Sequence, residues 1–86
     1  MRLWTCLFPD PSNPLQSARV AAPSRDAALT LLAEDIAGVG THSHRDRGGM
    51  MREIPDFILE YVGNVTPQEP GVISRQYRDG RIEGAP

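Results

Sequence analysis

Lysine is absent from this chain of 86 residues, cysteine occurs once, and aromatic residues make up only 6%. The lone cysteine, Cys6, cannot form an internal disulfide, which excludes a small disulfide-stapled secreted scaffold and favours a cytoplasmic protein. Without lysine, all nine basic residues are arginines. Together with abundant Ala, Gly and Pro this skew indicates a GC-rich bacterial or phage genome, although arginine is also the better donor to planar carboxylate and phosphate groups.

Long apolar runs are missing as well. No stretch approaches the ~20 apolar residues that a membrane-spanning helix needs. Near the N-terminus, Pro9, Asp10 and Pro11 interrupt the short apolar stretch, so a secretory signal peptide is not expected. The sequence therefore predicts a cytoplasmic protein without membrane contact.

Length and composition predict a single domain over residues 1–86. A chain of this size buries too little surface to build a second core. Apolar residues make up 40% of the chain and the formal net charge is −2, which are values of a globular protein and not of a disordered or polyionic one. One sheet and one helix are the natural content of such a chain.

Two strands are predicted before the helix. Residues 2–8 carry apolar side chains on both faces, which indicates a central strand, or one face covered by the helix and the other by a loop or partner. Residues 9–14 hold three prolines and are predicted to form a loop. Residues 15–22 alternate more weakly, with Ala18 and Val20 inward, so the two strands are predicted to form a hairpin.

One amphipathic helix is predicted from residue 24 to about residue 37. Ser24 can accept hydrogen bonds from the free amides of the first turn, and Asp26 places negative charge near the positive end of the helix dipole. Gly38 and Gly40 supply the stop. Apolar residues recur between these signals at spacings of three and four, at Ala28, Leu31, Leu32, Ile36 and Val39.

The second half of the chain is predicted to hold one long loop and one strong strand. Residues 40–53 contain three glycines, mixed charges and no periodicity, which predicts a mobile surface loop and a candidate contact surface. Residues 57–65 have the strongest strand pattern, with apolar side chains on both faces, and are predicted to lie in the middle of the sheet.

The last part of the chain leaves two interpretations open. Val72 and Ile73 can add a short fourth strand, and residues 74–86 are polar. Within them, Asp79-Gly80 indicates a small hairpin, whereas the surrounding arginines indicate a frayed tail. The elements together predict an α+β fold of β-β-α-β order, in which an antiparallel sheet of three to four strands carries the helix on one face.

Few residues occur in patterns that catalysis or metal binding requires. His42 and His44, followed by Asp46, resemble part of a zinc site, but side chains two apart share a face only in an extended segment and a third ligand must come from elsewhere. Cys6 lies among aromatic residues and is predicted to be a buried, inert thiol. We therefore predict no catalytic residue, metal or cofactor, with a metal-dependent enzyme using His42 and His44 as a minor alternative.

The arginines cluster in the predicted loop and in the tail. Acidic residues interleave with both groups, and the net negative charge disfavours a nucleic-acid partner. A protein partner fits better, while an arginine-based nucleic-acid-binding regulator is the alternative; the oligomeric state is left open. The predicted partner-binding residues are Arg45, Arg47, Arg52, Arg75, Tyr77, Arg78 and Arg81.

Two segments resemble parts of small proteins encoded by phages and prophages. They are VAAPSRDAALTLLAED at 20–35, a strand with a capped helix, and ILEYVGNVTPQEPGVI at 58–73, a strand with a turn. Anti-CRISPR proteins belong to this category. The resemblance implies a small non-enzymatic inhibitor that docks on a host protein complex, and it assigns a role to no specific residue.

Overall fold

A five-stranded antiparallel sheet, one helix and a separate two-stranded sheet make up the computed structural model, which describes residues 1–36, 40, 42–66 and 69–84. The large sheet has the strand order β5-β1-β2-β6-β7, and β3 pairs with β4 in the small one. The elements are β1 (Arg2–Leu7), β2 (Leu15–Ala22), α1 (Arg25–Asp35), β3 (His42–Arg45), β4 (Met51–Ile54), β5 (Ile58–Asn64), β6 (Gly71–Tyr77) and β7 (Ile82–Gly84).

The predicted start of the helix is confirmed. Ser24 is the N-cap of α1, and its hydroxyl oxygen accepts a hydrogen bond from the Ala27 N–H at 3.2 Å. The helix ends as the Ile36 N–H donates to the Leu32 carbonyl at 2.8 Å, and the predicted stop at Gly38 lies outside the described residues. Within the described ranges, no helix combines the length and apolar character needed to cross a membrane.

The hydrophobic core lies between α1 and one face of the large sheet. Trp4, Cys6 and Phe8 project toward the helix from β1 and the residue after it, and Leu32 meets them from the helix side. Trp4 Nε1 donates to the Ala22 carbonyl at 3.1 Å, which satisfies the one polar atom of that buried ring. The predicted alternation of the first strand is confirmed.

The predicted β-β-α-β fold with three to four strands is wrong. The described part of the chain contains seven strands, and residues 40–53, predicted as a loop, include β3 and the first three residues of β4. These strands are short and polar, so neither shows an apolar alternation that sequence reasoning could detect. Asp46 and Met50 close the hairpin through two hydrogen bonds of 3.0 Å, and Gly49 takes the φ of 82° that the turn requires.

The predicted position of the strongest strand is also wrong. β5 lies at the edge of the large sheet beside β1, not in its middle. The central strands include β6, which was predicted only at 72–73 and runs Gly71–Tyr77 between β2 and β7. Of the two interpretations of the tail, the structure has the hairpin, with Gly80 at φ 93° in the turn between β6 and β7.

Arg78 ties the proline-rich loop between β1 and β2 to the start of the β6–β7 turn. Its guanidinium donates to the backbone carbonyls of Phe8, of Asp10 at 2.8 Å and of Asn13 at 2.7 Å. The Arg78 N–H donates to the Pro14 carbonyl at 2.9 Å. A loop with three prolines has few backbone donors of its own, so one side chain here satisfies carbonyls that the chain could not otherwise pair.

Replacing Arg78 with alanine should therefore destabilise the fold. We expect Arg78→Ala to lower the free energy of unfolding by about 2 kcal/mol in urea titrations, because it removes three charge-assisted hydrogen bonds from a partly solvated site. Arg78→Lys should recover less than half of the loss, since an ammonium cannot reproduce the planar fork. Arg25→Ala, which removes an exposed arginine on α1, is the control; equal effects at both positions would contradict the structural role of Arg78.

Candidate protein-binding surface

The face of the large sheet that points away from α1 is left uncovered by the described part of the chain. Its side chains come from the strand positions that alternate with the core residues. Both small strands lie on the helix side, where they contact α1. We call this surface the open face, and its accessible members are Leu3, Thr5, Leu7, Ser17, Arg19, Ile58, Glu60, Val62, Gln76 and Ile82, while Ala21 and Ser74 lie on the same side but are buried.

Large apolar side chains are exposed on the open face where β5 meets β1. Leu7 is 40% exposed, Ile58 48% and Val62 49%. Leu7 and Ile58 lie directly opposite each other on neighbouring strands. Single exposed apolar residues are normal on protein surfaces, but a contiguous group of them typically marks a contact site.

The outer edge of β5 is a second exposed feature of the same region. Among the described strands, only β1 pairs with β5. Edge strands are commonly protected against pairing by proline or by several charges. β5 contains no proline and a single charged residue, Glu60, and its pairing with β1 is regular from Ile58 to Tyr61, so this part of its edge remains open to pairing with another strand.

Toward β7 the open face becomes more polar. A shallow depression of about 250 Å³ lies there, and its lining includes Ser17, Arg19, Gln76 and Ile82. Ser74 forms part of its floor and is 7% exposed. The open face thus has an apolar half at β5 and β1 and a mixed half at β2, β6 and β7.

Three of the predicted contact arginines lie in the β3–β4 hairpin, and each contacts the chain itself. Arg47 Nη2 lies 2.8 Å from Glu34 Oε2. The side-chain and backbone hydrogen bonds from Arg47 lower the pKa of Glu34 below its ordinary value. Arg52 Nε lies 3.1 Å from Asp46 Oδ2, and Arg45 donates to a backbone carbonyl in the hairpin turn at 2.9 Å. These guanidinium groups hold the hairpin together and attach it to α1.

The other predicted contact residues lie on β6 and in the turn that follows it. The Arg81 guanidinium carbon lies 4.2 Å from the centre of the Tyr77 ring, and Arg78 holds the loop after β1. Arg75 and Tyr77 line a cleft of about 420 Å³, together with two aspartates from that loop and from α1. Of the seven predicted residues, Arg75 also lines the depression near β7, and the other six lie away from the open face. Their role in partner binding stays a prediction.

The two histidines are held by different carboxylates. His42 Nε2 lies 3.1 Å from Asp56 Oδ1, while His44 Nε2 lies 3.8 Å from Asp26 Oδ1. His44 also lies 3.4 Å from the Thr30 hydroxyl. No group of three His, Cys, Asp or Glu side chains is close enough to hold a metal ion in the ranges that the structure describes. In this arrangement the histidines connect β3 to α1 and to the segment after β4.

Cys6 lies in the core, as predicted. Its side chain is fully buried between the sheet and α1, and this burial raises the pKa of the thiol to about 12. Because the thiolate is the nucleophilic form, the native thiol has little reactivity at neutral pH. The core position also means that cysteines introduced on the surface can be labelled without competition from Cys6.

We expect the native protein to resist thiol reagents at pH 8 and to react with one equivalent after unfolding in urea. Raising the pKa from 9.0 to about 12 lowers the thiolate fraction at pH 8 about a thousandfold, and burial blocks access as well. The absorbance of the thiolate released from a chromogenic disulfide reagent measures the reaction of Cys6 in the native and in the unfolded protein. Fast reaction of the native protein would contradict the burial of Cys6.

Sequence reasoning missed the exposed apolar residues of the open face. A signal for them was present, since β1 and β5 both carry apolar side chains on two faces. That pattern predicted burial on both sides, whereas the structure covers only the side of Trp4 and Cys6. Leu7, Ile58 and Val62 therefore have the composition of a covered surface without a cover in the described chain.

The chemistry of this surface is the basis on which a function can be assigned. The chain matches no protein-family model, no curated protein and no solved structure. The main features of the surface are its exposed apolar side chains, the outer edge of β5 and the opposite charges of Arg19 and Glu60.

Proposed function

We propose that this chain is a non-enzymatic protein-binding module and that the open face is its contact surface. The observation that carries the proposal is the group of exposed apolar side chains at Leu7, Ile58 and Val62 on an uncovered sheet. Removing such side chains from water contributes about 25 cal/mol per Å² of apolar surface, which gives a partner a reason to bind there. A protein is the partner that can bury a flat surface of this kind.

Two further features support a protein as the occupant. Glu60 and Arg19 flank the apolar side chains and can set the orientation of a partner through opposite charges. The outer edge of β5 offers backbone hydrogen-bonding groups to an added strand, a common mode of protein recognition. Apolar contact, charge and strand pairing are thus combined in one region.

The narrower form of the proposal is an inhibitor from a phage or mobile element that docks on a host protein complex. The two segments at 20–35 and 58–73 that resemble small phage proteins support it. The nucleic-acid alternative is less well supported, because Arg47 and Arg52 already pair with carboxylates. A metal-dependent reaction at His42 and His44 is disfavoured by their separate carboxylate partners.

Photo-crosslinking tests the proposal in a bacterial cell that expresses the full chain. A benzophenone amino acid at Val62 should form adducts with protein, because this position is 49% exposed and lies on the same edge strand as Ile58. The same substitution at Met50, which is 60% exposed in the hairpin between β3 and β4, is the matched control. Adduct yield at position 62 should exceed that at position 50 at least fivefold.

Equal yields at the two positions would show that the open face has no special affinity for protein. Adducts that are sensitive to nuclease and not to protease would favour the nucleic-acid alternative instead. The identity of a protein adduct also separates the possible occupants, since a second copy of the chain adds 9.4 kDa and a different partner adds its own mass.

A further inference from the structure

Opposite charges lie at matching positions on the two sides of β1. Thr5 is paired with Glu60 on β5 and with Arg19 on β2, so the three residues form one row across the open face. Two strand spacings separate the acid from the base, roughly 10 Å. In the part of the chain that the structure describes, neither Glu60 nor Arg19 has a salt-bridge partner.

Side-chain size is also complementary across β1. Leu7 pairs with Ile58 on β5 and with Ser17 on β2. The large Ile58 side chain on one flank of β1 therefore matches a small one on the other flank, just as the negative charge matches the positive one.

We propose that a second copy of this chain covers the open face, with the two sheets packed face to face about a twofold axis that runs along β1. This axis places β5 of each copy over β2 of the other. Glu60 then meets Arg19 of the second copy, and the reciprocal pair forms by symmetry. Ile58 packs over the small residue Ser17 of the second copy. This inference rests on the proposed function and names the protein that occupies its surface.

The charges exclude other face-to-face arrangements. A twofold axis along β2 would place Arg19 over the same residue of the second copy. An axis that crosses the strands through the row of Thr5 would place Glu60 over Glu60. Both arrangements would bury like charges next to each other in the interface, which is unfavourable. Of the three axes, only the one along β1 pairs each charge with its opposite.

The interface is small for a permanent dimer. Three strands of about seven residues from each copy span roughly 14 by 23 Å. Aligned sheets pack with their strands at about 30° to each other, which keeps most of this footprint in contact. A footprint of this size lies below the range of stable specific interfaces and corresponds to a weak, transient one, so the dimer should dissociate on dilution.

Sedimentation equilibrium of the purified full chain tests the inference. From about 5 to 500 µM, the apparent mass should rise from 9.4 kDa toward twice that value. Glu60→Arg or Arg19→Glu alone should weaken association at least tenfold, because each creates two like-charge contacts per dimer. The double reversal should restore association to within about threefold, and Glu53→Arg on β4 is the control for the change in net charge.

Circular dichroism melting of each variant shows whether it is folded. A wild-type chain that stays monomeric at 500 µM overturns the inference, and so does a dimer that the double reversal fails to restore. A monomeric chain that still crosslinks a different protein through position 62 leaves the proposed function standing with another occupant. A monomeric chain without crosslinks at that position overturns both.

Discussion

One short helix can cover only one face of the sheet, and the rest of the structure depends on this limit. α1 has 11 residues and a length of roughly 16 Å, while the large sheet has five strands. The helix buries Trp4, Cys6 and Phe8, whereas Leu7 and Ile58 on the opposite face are exposed. The β3–β4 hairpin does not cover the opposite face either, because it packs against the helix. The shortage of helical cover thus creates the open face.

Local signals were read correctly from the sequence, whereas signals that depend on distant pairing were not. The cap at Ser24 and the alternation of β1 and β2 depend on neighbouring residues, and all three are confirmed. β5 lies at the edge because β1 is its one pairing partner among the described strands. This pairing depends on residues that are distant in the sequence, so residues 58–64 alone do not predict it. β3 and β4 stabilise each other by pairing and by the turn at Asp46, so neither polar strand is recognisable alone.

The candidate site shows the same division. Arginines were predicted to be binding residues because they are charged. The sequence does not reveal that Arg78 donates hydrogen bonds to carbonyls of the β1–β2 loop or that Glu34 lies beside Arg47. The apolar side chains of β1 and β5 did indicate two covered faces. What the sequence could not show is that the described chain supplies only one cover, and this difference between pattern and structure is the reason why we propose the open face as the contact surface.

Isotope-filtered NMR on a mixture of labelled and unlabelled chains tests the central claim most directly, because it detects only contacts between copies. Ile58 and Ser17 lie on strands that flank β1, so their side chains are roughly 10 Å apart within one chain. The account predicts an intermolecular Overhauser effect between the Ile58 methyl groups and the Ser17 β-protons at high protein concentration. Intermolecular effects confined to the β3–β4 hairpin, with none from the open face, would contradict it.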